Sequence, residues 1–143
     1  VFVCADSSLG HPWRGFGGSF TEASAVIFNR LSDAKQKEVI RSYFDVTSGL
    51  GYNLGRVHIG SCDFSMGMWT CGNIDDGDML LDGFSIARYH QEIIPMIRQA
   101  AKVVGAPLTM LASPWTPPPW MKTKQDFKNG GRLRPDCRKA WAE

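Results

Sequence analysis

The sequence of 143 residues has no apolar run that approaches the roughly 18 residues of a membrane-spanning helix. No basic, apolar and small-residue pattern of a signal peptide precedes Gly15. The formal net charge is only +2, and Lys and Arg are dispersed, which argues against nucleic acid or an anionic membrane as a partner. With 43% hydrophobic and 21% charged residues and no low-complexity segment or repeat, the composition is that of a globular protein.

Cysteine is scarce, and the spacing of the cysteines includes no C-x-x-C pair, which argues against a structural zinc site. The four residues are Cys4, Cys62, Cys71 and Cys137, and three pairings are open if all of them are bridged. Cys62 and Cys71 would close a short loop in an oxidising compartment. Buried free thiols are the alternative that we favour.

Two segments lack residues that a cofactor site would need. The cluster Gly15-Phe-Gly-Gly18 has Phe20 where the dinucleotide-binding fingerprint requires its third glycine, so we assign it to close backbone packing at the first strand. The acidic run Asp75-Asp76-Gly-Asp78 lacks the register and the terminal Glu of a calcium-binding EF-hand, so we predict a solvated loop. Neither a metal nor an organic cofactor is expected.

The first half of the chain has the pattern of two helices followed by a strand. Residues 22–44 have helical spacing interrupted at Leu31-Ser32-Asp33, which predicts two helices with Ser32 as the N-cap of the second. An acidic residue at a helix N-terminus is favourable by itself, and we assign Glu22 no catalytic role. Residues 52–59 alternate with a period of two, which predicts a strand.

The second half repeats the pattern. Residues 85–104 have helical spacing, with Pro95 in a first turn or at a kink and Gly105 at the end. Residues 108–111 are apolar or β-branched, which predicts a strand buried on both faces. The order strand, helix, strand, helix, strand predicts parallel βα units.

The strand over residues 52–59 places Tyr52, Arg56 and His58 on one face, and Val57 and Ile59 on the other. A helix-covered face contains no water, so Arg56 must point to the opposite face, where a carboxylate can meet it. If the sheet is part of a barrel, that face lines the lumen, where Arg56 would hold and ionise a glutamate of an active site; a structural ion pair inside the barrel is the alternative. For His58 we favour a hydrogen-bonded core histidine over a catalytic role.

Residues 107–122 run an apolar strand into a stiff loop that presents Trp115 and Trp120. Its prolines fix φ and remove backbone donors, so we expect the loop not to continue the sheet; they are Pro114, Pro117, Pro118 and Pro119. Loops just beyond the C-terminal ends of buried parallel strands carry the binding groups of α/β folds. Flat indoles on such a loop suit sugar rings, and the alternative is that both cap a core.

Asp63 lies just beyond the strand predicted over residues 52–59, in the zone that would form the mouth of a barrel. Its carboxylate can accept two hydrogen bonds from adjacent sugar hydroxyls, which orients a ring without attacking it. The alternative is an Asp that caps a turn, and by the residue alone this alternative is slightly favoured.

Three motifs stand in order along the chain: Gly15-Phe-Gly-Gly-Ser-Phe-Thr-Glu-Ala, Gly51-Tyr-Asn-Leu-Gly-Arg-Val-His-Ile-Gly-Ser-Cys-Asp-Phe-Ser and residues 107–122. With the intervening residues 37–44 and the closing Asn129-Gly-Gly-Arg-Leu-Arg-Pro, they cover nearly the whole chain, which resembles glycoside hydrolase family 30. The resemblance implies the N-terminal portion, about three βα units, of a (β/α)8 TIM barrel.

The resemblance further implies a retaining β-glycosidase of the glucosylceramidase type that is secreted or lysosomal and acts on a carbohydrate or glycolipid substrate. Endo-β-1,6-glucanase and β-xylosidase activities are alternatives within the family. A short protein that binds carbohydrate without hydrolysing it is the alternative from another class.

By the same resemblance, Asp63 and Trp115 contact the sugar, Arg56 and Trp120 support the active site, and both catalytic glutamates lie beyond Glu143. A TIM barrel has roughly 250 residues. We therefore expect residues 1–143 to be a partial glycoside hydrolase domain that is incomplete on its C-terminal side.

Overall fold

The computed structural model describes residues 10–72 and 77–143 of the chain. Its strands are β1 (Gly17–Phe20), β2 (Leu54–Ile59) and β3 (Thr109–Pro114). Its α-helices are α1 (Glu22–Asn29), α2 (Asp33–Phe44), α3 (Ala87–Gln91), α4 (Ile93–Val104) and α5 (Arg138–Ala142), and 3₁₀ turns cover Pro119–Met121 and Pro135–Cys137. The strands form one parallel sheet in sequence order with helical crossovers, which confirms the prediction of βα units.

The glycine cluster lies where β1 approaches β2. Gly17 pairs with Leu54, and a Cβ on Gly17 would lie 2.0 Å from the Leu54 carbonyl oxygen. Only glycine therefore allows this strand contact, which confirms the assignment of the cluster to close backbone packing.

The helix boundaries agree with the sequence pattern, but their capping differs. Thr21 and Ser24 form a capping box at α1, in which the Thr21 hydroxyl accepts from the Ser24 N–H at 3.3 Å. Ser32 precedes α2 as predicted, but its side chain makes no capping hydrogen bond. Its carbonyl accepts the Gln36 N–H at 2.9 Å, so only its backbone serves the helix start.

The predicted helix over residues 85–104 is broken in two at Glu92, which lies between α3 and α4 with φ −129° and ψ −58°. Pro95 lies in the first turn of α4, as expected. A backbone N–H in the first turn has no partner within the helix, so its absence in proline costs no helical hydrogen bond. Gly105 ends α4 with φ 74°, a left-handed conformation that glycine adopts without strain.

One face of the sheet packs against the helices and forms the main core. Val57, Ile59 and Met110 pack against its buried members, which include Phe20, Phe28, Ile40, Phe44, Ile93 and Ala100. Tyr52 also packs against this core, so the prediction that it shares a face with Arg56 is wrong. Tyr52 lies before the start of β2, where the strand alternation does not yet hold.

The opposite face of the sheet, called the inner face below, carries Arg56 and His58 of β2. Leu111 of β3 pairs with Arg56 and therefore lies on this face, where it is 63% exposed. The prediction that β3 is buried on both faces is thus wrong, because the helices that the structure describes cover one face of the sheet only.

The proline-rich loop departs from expectation at its start. Pro114 is the last residue of β3 and pairs with Ile59, and the Trp115 N–H donates to the Ile59 carbonyl at 3.3 Å. The sheet therefore continues over the first proline, because the neighbouring Trp115 supplies the backbone donor that Pro114 lacks.

A second, smaller core lies beneath the loop. It consists of Trp120, Met121, Cys137 and Ala140, with Leu133 and Trp141 packed against it. Among the residues at 10–72 and 77–143, no helix is long and apolar enough to cross a membrane.

Candidate functional site

A hollow of about 470 Å³ opens on the inner face at the C-terminal ends of the strands. It is lined by Ser19, Phe20, Thr21, Arg56, His58, Cys62, Asp63, Phe64 and Trp115. The end of β1, the strand β2 with its following loop, and the residue after β3 all contribute. The structure therefore brings Asp63, Trp115 and Arg56 together, as their positions in the sequence predicted.

Asp63 is exposed, and its carboxylate takes part in none of the hydrogen bonds found in the described part of the chain. The turn around it is held by other groups. The Ser65 hydroxyl accepts the Cys62 N–H at 3.0 Å, and the Ser65 N–H donates to the Cys62 carbonyl at 3.1 Å. Asp63 thus does not cap its turn, and its carboxylate can accept hydrogen bonds from a ligand.

Trp115 is 43% exposed, and one face of its ring contacts Arg56. The Arg56 guanidinium carbon lies 4.7 Å from the ring centroid. This cation–π contact is worth about 0.5–2 kcal/mol, and it holds both side chains against the wall of the hollow. The Arg56 Nη2 group also donates to the Ser113 hydroxyl at 3.1 Å, which fixes the plane of the guanidinium.

Within residues 10–72 and 77–143, no carboxylate lies within 4.0 Å of Arg56, and the ion pairs found there involve other cations. The structural ion pair considered as an alternative is therefore not present in this part of the chain. Arg56 and Asp63 have opposite charges and line the same hollow without pairing. Both remain able to bind a polar ligand.

His58 is a buried, hydrogen-bonded core residue, as favoured from the sequence. The Glu22 N–H donates to its Nε2 at 3.3 Å, so the ring proton is on Nδ1, which lies 2.5 Å from the Gly60 carbonyl. The ring also packs edge-on against Trp69, with centroids 5.9 Å apart. His58 therefore links the start of α1 to the end of β2.

From the sequence, Glu22 was expected only to be a favourable acidic residue at a helix N-terminus, yet it is the centre of a buried polar cluster. Its Oε1 accepts from the Arg88 Nε at 2.6 Å, and its Oε2 accepts from the Met66 N–H at 2.8 Å and the Trp69 indole N–H at 3.1 Å. Burial alone would raise the pKa of Glu22, but these hydrogen bonds and the Arg88 charge hold that pKa below its ordinary value. Its partners lie 44 to 66 residues away, so no local pattern could have found them.

Trp120 does not line the hollow. It is 5% exposed and lies in the second core, so the loop presents Trp115 alone. The prediction that both indoles are presented is wrong for Trp120, because the chain turns inward at the 3₁₀ turn Pro119–Met121. Its support of the site from beneath the loop stays a prediction.

Cys62 lies in the wall of the hollow, whereas Cys71, Cys137 and Asp78 are not among its lining residues. Cys62 and Cys71 are buried free thiols, as favoured from the sequence; Cys4 lies outside the described residues. Asp75 and Asp76 are likewise outside them, while Asp78 accepts the Asp82 and Gly83 N–H groups, each at 2.9 Å.

Comparison with known proteins agrees with this geometry. The model of the glycosyl hydrolase family 30 TIM-barrel domain matches residues 13–142. The chain belongs to this family. Its sheet is thus part of a family 30 TIM barrel, and the hollow lies at the edge where such barrels carry their active sites.

Several relatives of this family 30 chain are known. It is 40% identical to mouse lysosomal acid glucosylceramidase over 122 residues, which is 85% of this chain and 23% of the mouse protein. The crystal structure of SrfJ from Salmonella typhimurium matches 90% of this chain and 28% of that one, with 38% identity and a TM-score of 0.81. The endo-β1,6-glucanase BT3312 matches 90% of this chain and 29% of that one, with 26% identity and a TM-score of 0.76. The chain spans about a quarter of the length of these relatives.

Proposed function

We propose that the protein is a retaining β-glycosidase of the glucosylceramidase type, which removes glucose from a glycolipid, and that the hollow binds the sugar. The observation that carries the proposal is the shared position of an uncommitted carboxylate and a half-exposed indole at the C-terminal edge of the sheet. The 40% identity to the mouse glucosylceramidase supports this substrate class and a secreted or lysosomal location.

In this proposal the residues of the hollow make different contacts that together hold one sugar ring. The Asp63 carboxylate accepts hydrogen bonds from two adjacent hydroxyls, and the Trp115 indole packs against the apolar face of the ring. Arg56 offers its remaining N–H groups to a carboxylate that enters the hollow from another part of the barrel, and its charge lowers the pKa of that group.

The reaction itself needs two carboxyl groups about 5–5.5 Å apart, one as nucleophile and one as acid and then base. In this proposal both are glutamates supplied by another part of the barrel. The residues of the hollow bind and orient the sugar, and none of them forms the covalent intermediate.

A second candidate function is hydrolysis of β-1,6-glucan. It is favoured by the match to the endo-β1,6-glucanase, which covers 90% of this chain. Asp63 and Trp115 would then bind a glucose unit of a polysaccharide instead of the headgroup of a lipid.

The two candidates are separated by the turnover of glucosylceramide and of β-1,6-glucan oligosaccharides by the whole protein, with an aryl β-xyloside as a third substrate. A kcat/KM for glucosylceramide that exceeds the others at least about tenfold is expected, a difference of about 1.4 kcal/mol in transition-state binding. Preference for the glucan establishes the second candidate, and absence of turnover of all three contradicts both.

A further inference from the structure

The loop from Ser61 to Trp69 carries Asp63, and the loop is closed at its base. The Ser61 N–H donates to the Trp69 carbonyl at 3.0 Å, and the Trp69 N–H donates to the Ser61 hydroxyl at 3.1 Å. The Asp63 side chain itself has no hydrogen bond in the described part of the chain. Its position in the hollow is therefore set by the backbone of its neighbours.

That backbone is held by the first turn of α1. The Ala23 N–H donates to the Phe64 carbonyl at 3.0 Å, and the Met66 N–H donates to the Glu22 carboxylate at 2.8 Å. Phe64 and Met66 are thus both hydrogen-bonded to the N-terminal end of α1. The Trp69 indole N–H, at 3.1 Å from the same carboxylate oxygen, adds a bond at the far end of the loop.

Glu22 suits this role because the described polar groups that bond to its carboxylate are all donors. Arg88 donates to one oxygen, and Met66 and Trp69 donate to the other. The Arg88 guanidinium carbon also lies 4.9 Å from the centroid of the Trp69 ring, so it packs on the residue that closes the loop. An amide in place of the carboxylate would turn an NH₂ group toward one of these donors.

We propose that Glu22 is a positioning residue for Asp63: from outside the hollow, its buried carboxylate fixes the loop that points Asp63 at the sugar. The inference rests on the proposed function, because it concerns how firmly the glycone is held. Glu22 touches neither the sugar nor the reacting atoms, so its effect on turnover passes through Asp63.

The test is a double-mutant cycle in the whole protein with Glu22→Gln and Asp63→Ala. The control is Glu38→Gln, which makes the same change in an exposed pair with Lys35 on α2. In the wild-type background, Glu22→Gln should lower kcat/KM for an aryl β-glucoside at least about tenfold relative to the control. In the Asp63→Ala background, the same substitution should lower kcat/KM less than about twofold. A general loss of stability would lower kcat/KM by the same factor in both backgrounds, and that result overturns the proposal.

Trp69→Phe is a second variant in case Glu22→Gln does not fold, because it removes one donor and keeps an aromatic ring. It should lower kcat/KM in the same direction, and the loss should again disappear in the Asp63→Ala background. A loss that persists there contradicts the proposal.

A readout independent of turnover separates this inference from the proposed function. Amide hydrogen exchange of residues 62–66 should be at least about tenfold faster in Glu22→Gln than in Glu38→Gln, because the loop loses its anchor. If the wild-type protein hydrolyses no β-glycoside, the proposed function fails, and exchange alone decides the role of Glu22. Unchanged exchange in residues 62–66 overturns the positioning role even in an active enzyme.

Discussion

At the scale of residues, Trp115 and Asp63 face the same hollow through different kinds of contact. Trp115 offers apolar ring area, and Asp63 offers charge and hydrogen-bond acceptors. Among the described residues, the Asp63 carboxylate makes no hydrogen bond that holds its own loop, whereas Trp115 contacts Arg56. Loss of either should therefore change sugar binding more than the folding of the protein.

If Asp63 binds the sugar as proposed, Asp63→Ala should lower kcat/KM of the whole protein by about two orders of magnitude or more, because two charge-assisted hydrogen bonds would be lost. The melting temperature should stay close to that of wild type, since the described residues give the carboxylate no partner. Asp82→Ala, an exposed acidic residue outside the hollow, is the matched control. Near-normal turnover of Asp63→Ala would remove Asp63 from the sugar site.

Trp115→Ala should raise KM for an aryl β-glucoside about tenfold, because both the stacking surface and the support of Arg56 are lost. Trp115→Phe keeps an aromatic face and should raise KM less. Steady-state kinetics of the two variants provide the measurement, and equal KM values for Trp115→Ala and wild type would argue that the indole does not touch the substrate.

Glu22 gives the protein an acid-sensitive interaction. Its pKa is lowered in the folded state, so its contribution to the free energy of unfolding is present above its ordinary pKa of about 4.5 and is lost as the pH falls through the lower, folded value. The stability difference between wild type and Glu22→Gln should thus be largest near neutral pH and shrink below about pH 4.5. Urea unfolding at several pH values measures it, and a difference independent of pH would contradict the assignment.

At the scale of elements, local patterns predicted the positions of most helices and strands. The alternation in β2 put Arg56 and His58 on one face and Val57 and Ile59 on the other, because strand geometry depends on neighbours in sequence alone. The break at Glu92 and the exposure of Leu111 could not be read in this way. Both depend on what packs against the element, which a local pattern does not contain.

The same limit applies to the site. Asp63 and Trp115 were predicted because each follows the end of a strand, and parallel strands bring those ends together. Glu22 was missed, because its role depends on partners from the loop after β2 and from α3. The inward turn of Trp120 depends on packing against Cys137 and Ala140, again distant in sequence.

The contact between β1 and β2 allows a matched pair of glycine substitutions. A Cβ at Gly17 would lie 2.0 Å from the Leu54 carbonyl oxygen, whereas at Gly18 the nearest atom would be a Tyr52 ring carbon at 3.8 Å. Gly17→Ala should therefore destabilise the protein by about 1–3 kcal/mol or more, because the strands must separate. Gly18→Ala should be much milder. Thermal melts of the two variants compare them, and equal melting temperatures would contradict the close approach.

At the scale of the whole molecule, the part of the chain that the structure describes leaves the inner face uncovered and has strand edges at β1 and β3. Leu111 is 63% exposed on that face, and Phe16, which directly precedes β1, is equally exposed at 63%. Unpaired edges and exposed apolar side chains favour association between chains. In a barrel these groups are covered by further strands.

The chain expressed by itself should therefore be poorly soluble or loosely folded. Calorimetry should give a broad transition with a low enthalpy, and sedimentation should show self-association. A sharp, cooperative melt of a monomer would show that the sheet is stable without partners on its inner face.

The placement of Arg56 over Trp115 has one further consequence. Because the Arg56 guanidinium covers one face of the Trp115 indole, a ligand can stack only on the opposite face. In the proposed function, this restricts the direction from which a sugar ring reaches Trp115, and with it the hydroxyls that reach Asp63, before any catalytic group takes part.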